Sequence, residues 1–236
     1  MTRPVQDIIL QDYTLDILLL NPNSRAVTKA VITFDAPAVI GATSVSLTAA
    51  ASTTIKAGTS LSFAAPSAPT DRQQVLFTAD ATITATAASF AVAPLKKAIA
   101  DSSVGDFVVG TVPLFGIQTM DKTNQETQVD TTNFQSGAGT EMAIVRNART
   151  LNISGIVKAG DLAYVNIIKR VSDNSAFLNR EIYAIATLPD GEKFEGATKL
   201  MGLNEPANQN EIKKYTFNLT FQGDSFIWTP GYYAAA

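Results

Sequence analysis

The sequence contains no cysteine and no histidine. These two absences exclude a disulfide framework, a thiol nucleophile and any Cys/His metal site. They rule out Ser-His-Asp and Cys-His arrangements and remove the usual proton shuttle near neutrality. Only carboxylates, lysines and tyrosines remain for acid–base work, and no cofactor is expected. Charge is also scarce: Asp, Glu, Lys and Arg make up 17% of the chain, and the formal net charge is −3. Residues 101–236 hold eleven Lys/Arg against fifteen Asp/Glu, and residues 1–100 hold seven against six. An acidic C-terminal part without a basic tract argues against tight phosphate binding, which needs clustered cations. Long apolar runs are missing too. Ile17 to Leu20 is too short for a secretory h-region, and Asp7, Asp12 and Asp16 interrupt its surroundings. Nothing approaches the ~20 apolar residues of a membrane helix. The expectation is a protein made in the cytoplasm with no membrane partner.

What is present favours β-structure. The 236 residues are 46% hydrophobic, enough for a core and too apolar for global disorder. Ala, Thr, Ser, Val and Gly dominate many segments, with turn residues at close intervals. Residues 1–26 read as an N-terminal arm. Leu15, Ile17 and Leu19 alternate as in a strand, while Ile9, Tyr13, Ile17 and Leu20 would suit a helix. Residues 27–100 read as a small Ala/Thr/Ser-rich β module with a weak internal repeat. Ala30–Asp35 matches Val75–Asp80, residues 41–47 match 86–92, and Ile55 matches Ile99 after a one-residue gap. Chance self-alignment of a low-complexity sequence is the competing explanation.

Residues 101–236 read as an antiparallel β-sandwich or rolled sheet with one flanking helix, so the fold class is mainly β. Asp106–Val112 is a strand with Pro113 at its end or on an edge. The helix spans Asp161 to Val171, opened by Asp161 as cap, with Leu162, Val165 and Ile168 on one buried stripe widened by Tyr164, Ile167 and Val171. Pro189-Asp-Gly191 turns a hairpin. Tyr215, Phe217, Leu219 and Phe221 alternate with polar residues as a half-buried strand, and Phe226 to Trp228 form a last short one. The stretch from Glu126 to Val157 reads as a long hairpin: a polar strand Thr127–Asp130, a turn-rich loop, and an alternating strand from Leu151.

Several short motifs dissolve on inspection. Gly137-Ala-Gly139 lacks the third glycine of a dinucleotide fingerprint and lies in a hairpin loop. Ser172-Asp-Asn174 has none of the companions of a β-lactamase set. Asn152-Ile-Ser154 and Asn218-Leu-Thr220 lie in predicted strands, which discounts them as glycosylation sites. Trp228 reads as a core or contact aromatic.

Taken in order, residues ~105–229 resemble the major tail tube proteins of long-tailed bacteriophages. The resemblance rests on Phe115-Gly-Ile117, Gln128-Val-Asp-Thr-Thr-Asn-Phe-Gln-Ser-Gly137, a strand ending in Ser154-Gly155, a helix opened by Gly-Asp, and Phe221-Gln-Gly-Asp-Ser-Phe-Ile-Trp228. It covers about half the chain, and many family members begin near residue 105. It implies a virion subunit without catalysis that forms six-membered rings stacked into a tube. That tube would hold a tape-measure protein during assembly, meet tail tip and terminator proteins, and pass DNA without binding it specifically. The loop Asp130, Thr131, Thr132, Asn133, Phe134, Gln135, Ser136, Gly137 and Gly139 would contact the neighbouring ring. An acidic lumen would repel phosphate, and Asp106, Glu181, Glu192 and Glu195 are candidates for it. The module at 27–100 would decorate the tube exterior. The alternatives are another tail ring component, such as a terminator or baseplate ring, and a carbohydrate- or receptor-binding tail accessory.

Overall fold

The computed structural model describes residues 13–130, 142–174, 180–189, 192–206, 212–223 and 226–229. It is mainly β and antiparallel. An eight-stranded sheet contains β1 (Thr14–Leu19), β10 (Val112–Leu114), β11 (Ile117–Asp130), β12 (Met142–Ile156), β13 (Ile182–Thr187), β14 (Lys193–Asn204), β15 (Lys214–Phe221) and β16 (Ile227–Thr229). Its order is β10-β1-β13-β14-β15-β12-β11, with β16 also paired to β14. A second sheet contains β2 (Lys29–Phe34), β3 (Ser44–Ala49), β5 (Ser60–Ala65), β6 (Ala68–Leu76), β8 (Ala88–Ala91) and β9 (Val104–Val108), in the order β6-β5-β9-β2-β3-β8. The short strands β4 (Thr53–Ile55) and β7 (Ala81–Ile83) pair with each other.

Sheet membership cuts across the composition shift near residue 100. Residues 14–19, set apart by sequence as part of an arm, are an interior strand lying between β10 and β13. Residues 104–108, read with the C-terminal part, pair with β2 and β5 in the second sheet. The single strand expected over 106–112 is broken in two. Gly110, with φ +89°, turns the chain, and Thr111 donates its hydroxyl to the Val108 carbonyl at 3.0 Å. Pro113 then sits in β10 on the sheet edge, where its missing N–H costs no ladder bond.

The second sheet is built twice over. Phe34 faces Leu47, and Phe77 faces Val92. Ala38 bridges Ile99, and Ile55 bridges Ala81. Ile32 faces Gly105, and Val75 faces Leu61. Phe34 exchanges main-chain bonds with Ser102 and Ser103, as Phe77 does with Gly58 and Thr59. Even the left-handed backbone recurs, at Gly58 (φ +91°) and Ser102 (φ +59°). The correspondences map β2, β3 and β5 onto β6, β8 and β9, and the Ala38–Ile99 bridge onto the pairing of β7 with β4, about an axis where Val45 lies opposite Phe90. Hydrogen bonds just past the ends of β6 and β8, Ala93 N–H to the Leu76 carbonyl and Thr78 N–H to the Ala91 carbonyl, close the sheet on itself. The matched positions differ from the sequence alignment in the first block, where Ile32 rather than Ala30 corresponds to Val75. A two-residue slip preserves the face of every side chain, so composition alone could not choose between the two registers.

The two sheets have separate cores. One gathers Ile32, Phe34, Leu47, Phe63, Val75, Phe77 and Phe107 inside the barrel. The other lies on one face of the eight-stranded sheet, with Leu15, Ile17, Leu151, Ile153, Phe194, Phe217 and Leu219 beneath a helix. That helix is a π-helical turn, Tyr164–Lys169, continued by α1 (Arg170–Asp173). Asp161 caps it, accepting the Tyr164 N–H at 3.1 Å and the Phe115 N–H at 2.8 Å. The expected stripe is only partly the buried one. Ala163, Tyr164, Ile167, Ile168 and Val171 are buried, whereas Leu162 and Val165 are 54% and 55% exposed. The wide π turn moves residues off the 3.6-residue period on which the stripe was drawn.

Phe34 and Phe77 occupy equivalent, fully buried places. Phe34→Ala and Phe77→Ala should each cost about 3–5 kcal/mol in urea unfolding, and a loss under about 1 kcal/mol at either would contradict that equivalence.

Candidate assembly interface

The eight-stranded sheet ends in a ribbon that outruns it. β12 pairs with β15 only from Thr150 to Ile156. Its pairing with β11 continues to Asp130 opposite Met142. Residues 124–130 therefore extend about 23 Å past the sheet at ~3.3 Å per residue. From Asp121 onward every residue of β11 is exposed. The sequence supports an extended strand here through Thr123, Thr127 and Val129, and it offers no proline to blunt the edge. Cross-strand hydroxyl and amide bonds stiffen the base: Thr119 with Ser154 at 2.7 Å, Asn152 to Thr123 at 2.8 Å, and Thr150 with Thr220 at 3.1 Å. A shift in register between Thr127 and Gln128 bends the outer part. On its far side β11 has no strand partner among the described residues.

Of the loop residues expected at a ring contact, Asp130 is the exposed last residue of β11. Thr131, Thr132, Asn133, Phe134, Gln135, Ser136, Gly137 and Gly139 lie outside the described residues.

The four acidic candidates are scattered, and three are ion-paired. Asp106 is exposed on β9, in the barrel and not in the large sheet. Glu181 takes a two-pronged bond from Arg25, with both contacts at 2.5 Å, and the guanidinium holds its carboxyl below the usual range. Glu192 accepts from Lys122 at 3.2 Å and from the Trp228 indole at 2.6 Å. Glu195 is buried, bonded to Lys29 at 2.5 Å, Lys193 at 2.8 Å and the Tyr183 hydroxyl at 2.7 Å. Burial alone would push its carboxyl up. The two lysines and Tyr183 outweigh that and hold it at about 2.

Glu195 belongs to a junction that the sequence did not disclose. The face of the large sheet opposite the helix carries Leu18, Leu20, Tyr183, Ile185 and Ala197, and it packs against Val27 and Val108 of the module. Asp16 lies on that same face, between the inward-facing Leu15 and Ile17. Its carboxyl is fully buried against the Ser60 backbone and Thr59, and Oδ1 has no hydrogen-bond partner among the described residues. Beside it, a side chain at Gly58 would strike the Phe115 ring. Burial pushes the Asp16 carboxyl up to about 7, and Ser60, Thr59 and the charge of Lys193 offset this only in part. An Asp in an alternating apolar strand was the available signal, because a carboxylate at an interior strand position must be paired or neutral.

Among the described residues no group of three or more Asp or Glu could hold a metal ion, and no helix is long and apolar enough to cross a membrane. No family model and no curated protein matches the sequence. Among solved structures, the chain is similar to one in the tail of an empty gene transfer agent particle, determined by helical refinement with C6 symmetry. The two are 16% identical, with a TM-score of 0.39, covering 49% of this chain and 83% of that one. It is also similar to a chain in the virion of a native gene transfer agent particle, at 15% identity and a TM-score of 0.41, covering 51% and 89%.

A carboxyl that keeps its proton to about pH 7 when folded, and loses it near 3.8 when unfolded, binds the extra proton in the native state. Its contribution to stability is therefore greatest below about pH 4 and falls as pH rises to 7. Asp16→Asn should raise the unfolding free energy above pH 7 by up to ~4 kcal/mol, with the gain fading toward pH 4. Denaturant titrations of both proteins at pH 4 and pH 8 check this, and an equal difference at the two pH values would contradict it.

Proposed function

We propose that the protein is a structural subunit of a phage-like tail, a tube subunit that assembles with copies of itself into stacked rings of six. The observation that carries this reading is the exposed β11–β12 ribbon with its open edge. A solitary two-stranded ribbon is at best marginally stable in water, and a long unpaired edge is a template for pairing with another chain. A subunit that uses both features in assembly turns a hazard into an interface. Head-to-tail contacts that close give a ring, and stacking gives a fibre. The Val129-Asp-Thr-Thr-Asn-Phe134 block and the Phe226-Ile-Trp228 ending are the sequence features that this reading shares with tail tube proteins.

On this reading the protein resides in the virion tail and its partners are further copies of itself, tape-measure, tip and terminator proteins, and DNA in passage. The two-pronged Arg25–Glu181 pair and the buried Glu195 cluster leave little free charge at those carboxylates, so lumen repulsion would rest on other acidic residues. A non-stacking ring component is the second reading, because a closed ring uses the same edge. A glycan-binding accessory is the remaining alternative, for which Trp228, 53% exposed and held in place through its indole N–H by Glu192, is the exposed aromatic that would have to serve as platform.

Purified protein should form rings and tubes by light scattering and negative-stain microscopy, and strict monomers at every salt and protein concentration would overturn the proposal. Deleting 133–139 should leave the circular dichroism spectrum and thermal midpoint of the monomer intact and abolish tube growth. Tubes of normal length from the deletion variant would assign stacking to another element, the N-terminal arm first.

A further inference from the structure

The two arms of the ribbon are fastened to one place as they leave the sheet. Lys122 stands opposite Leu151, and Arg149 stands opposite Asn124, two positions further out. Leu151 is buried in the core beneath the helix, and the two-residue period puts Lys122 and Arg149 on that same side. β12 parts from β15 at Thr150. These two cations therefore flank the exit, one on each arm.

Both meet the same aromatic rack. Lys122 Nζ lies 4.6 Å from the centre of the Phe194 ring and 3.2 Å from Glu192 Oε1. The Arg149 guanidinium lies 4.3 Å from the centre of Phe226. Phe226 is stacked with Phe194 at 6.2 Å and meets Phe221 edge-on at 4.8 Å. Glu192 also holds the Trp228 N–H at 2.6 Å, while β16 pairs Trp228 with Phe194 across the backbone. The rack thus combines β14, the end of β15 and the C-terminal strand. Cations over aromatic faces are held electrostatically, and two such contacts at the root resist the twisting that a free two-stranded ribbon undergoes.

We propose that Lys122 and Arg149 are positioning residues that set the direction in which the ribbon leaves the sheet, with Phe194, Phe226 and Trp228 as the rack that receives them. The importance of that direction for ring stacking rests on the assembly proposed above; the direction itself does not. The chain has no cysteine, so Val129→Cys and Ala36→Cys would give two unique spin-label sites, one on the ribbon and one on the barrel. In this background Lys122→Met and Arg149→Met, singly and together, remove the charges and keep unbranched stems. The label-to-label distance distribution should broaden or shift in the double variant, and the protein concentration needed for assembly should rise about tenfold. Lys122→Arg and Arg149→Lys should restore a narrow distribution. A double variant as narrow and unshifted as the parent would overturn the proposal whatever its assembly. If the double variant does not fold, the distance distributions of the single variants decide the question in the same way. Parent protein that never assembles would remove the stacking role alone, leaving the distances to judge the positioning.

Discussion

A sheet edge is a row of main-chain donors and acceptors that only water satisfies until another chain arrives. This protein meets that constraint in two opposite ways. The barrel of β2, β3, β5, β6, β8 and β9 joins its own ends through the Phe77–Val92 bridge, and closure removes the edge. The eight-stranded sheet stops at β10 on one side and β11 on the other. β10 is three residues long and contains Pro113, a blunted edge. β11 is fourteen residues long and contains no proline. Among the described residues, assembly by strand addition is thus open to the eight-stranded sheet and not to the closed barrel, and chiefly along one strand.

Closure of the barrel follows from its duplication. Each half supplies a strand, a bridging pair and a return strand, and neither half can cover its own apolar face. Opposed about an axis, the halves bury Phe34 and Phe77 in one core. The repeat was visible in the sequence because Val45 and Phe90, Leu47 and Val92 fall in register. Its extent was not, because β9 carries Gly105 where β5 carries Leu61, and the composition changes just before it. Gly105 is small because the Phe63 ring occupies the space a side chain would need. A packing constraint had erased the sequence likeness.

Legibility elsewhere follows the same rule. The alternation of Tyr215, Phe217 and Leu219, the Asp161 cap and the long hairpin could be read because local periodicity and capping chemistry determine them. The length of the ribbon could not be read, since Asp121–Asp130 shows no apolar alternation and is held by its pairing with β12. Nor could β1 be chosen over a helix, since Ile17 belongs to a strand pattern with Leu15 and Leu19 and to a helical one with Tyr13 and Leu20 until β13 lies beside it. The acidic residues carried the least local information. Whether Glu195 faces water or two lysines depends on Lys29, 166 positions away.

That long-range pairing decides what the protein can present. A buried ion cluster is a weak source of net stability, because desolvation offsets most of its attraction. It is a strong discriminator of geometry, since a misdocked module would leave Glu195 without Lys29, the cation that comes from β2. Lys29 can reach Glu195 only if β2 lies across β14, and Gly58 can pass Phe115 only if the Thr59 loop lies over β1. Together these contacts fasten the barrel to the face of the sheet opposite the helix. With the helix on one face and the barrel on the other, both faces are covered over β1, β13 and the near half of β14. What remains open among the described residues is a polar face over β15, where Lys214, Thr216 and Asn218 are exposed, the blunted β10 edge, and the long β11 edge with the ribbon beyond it. The module need not touch a partner to influence assembly, because covering the apolar part of the second face leaves the long β11 edge as the main-chain surface through which the sheet can grow.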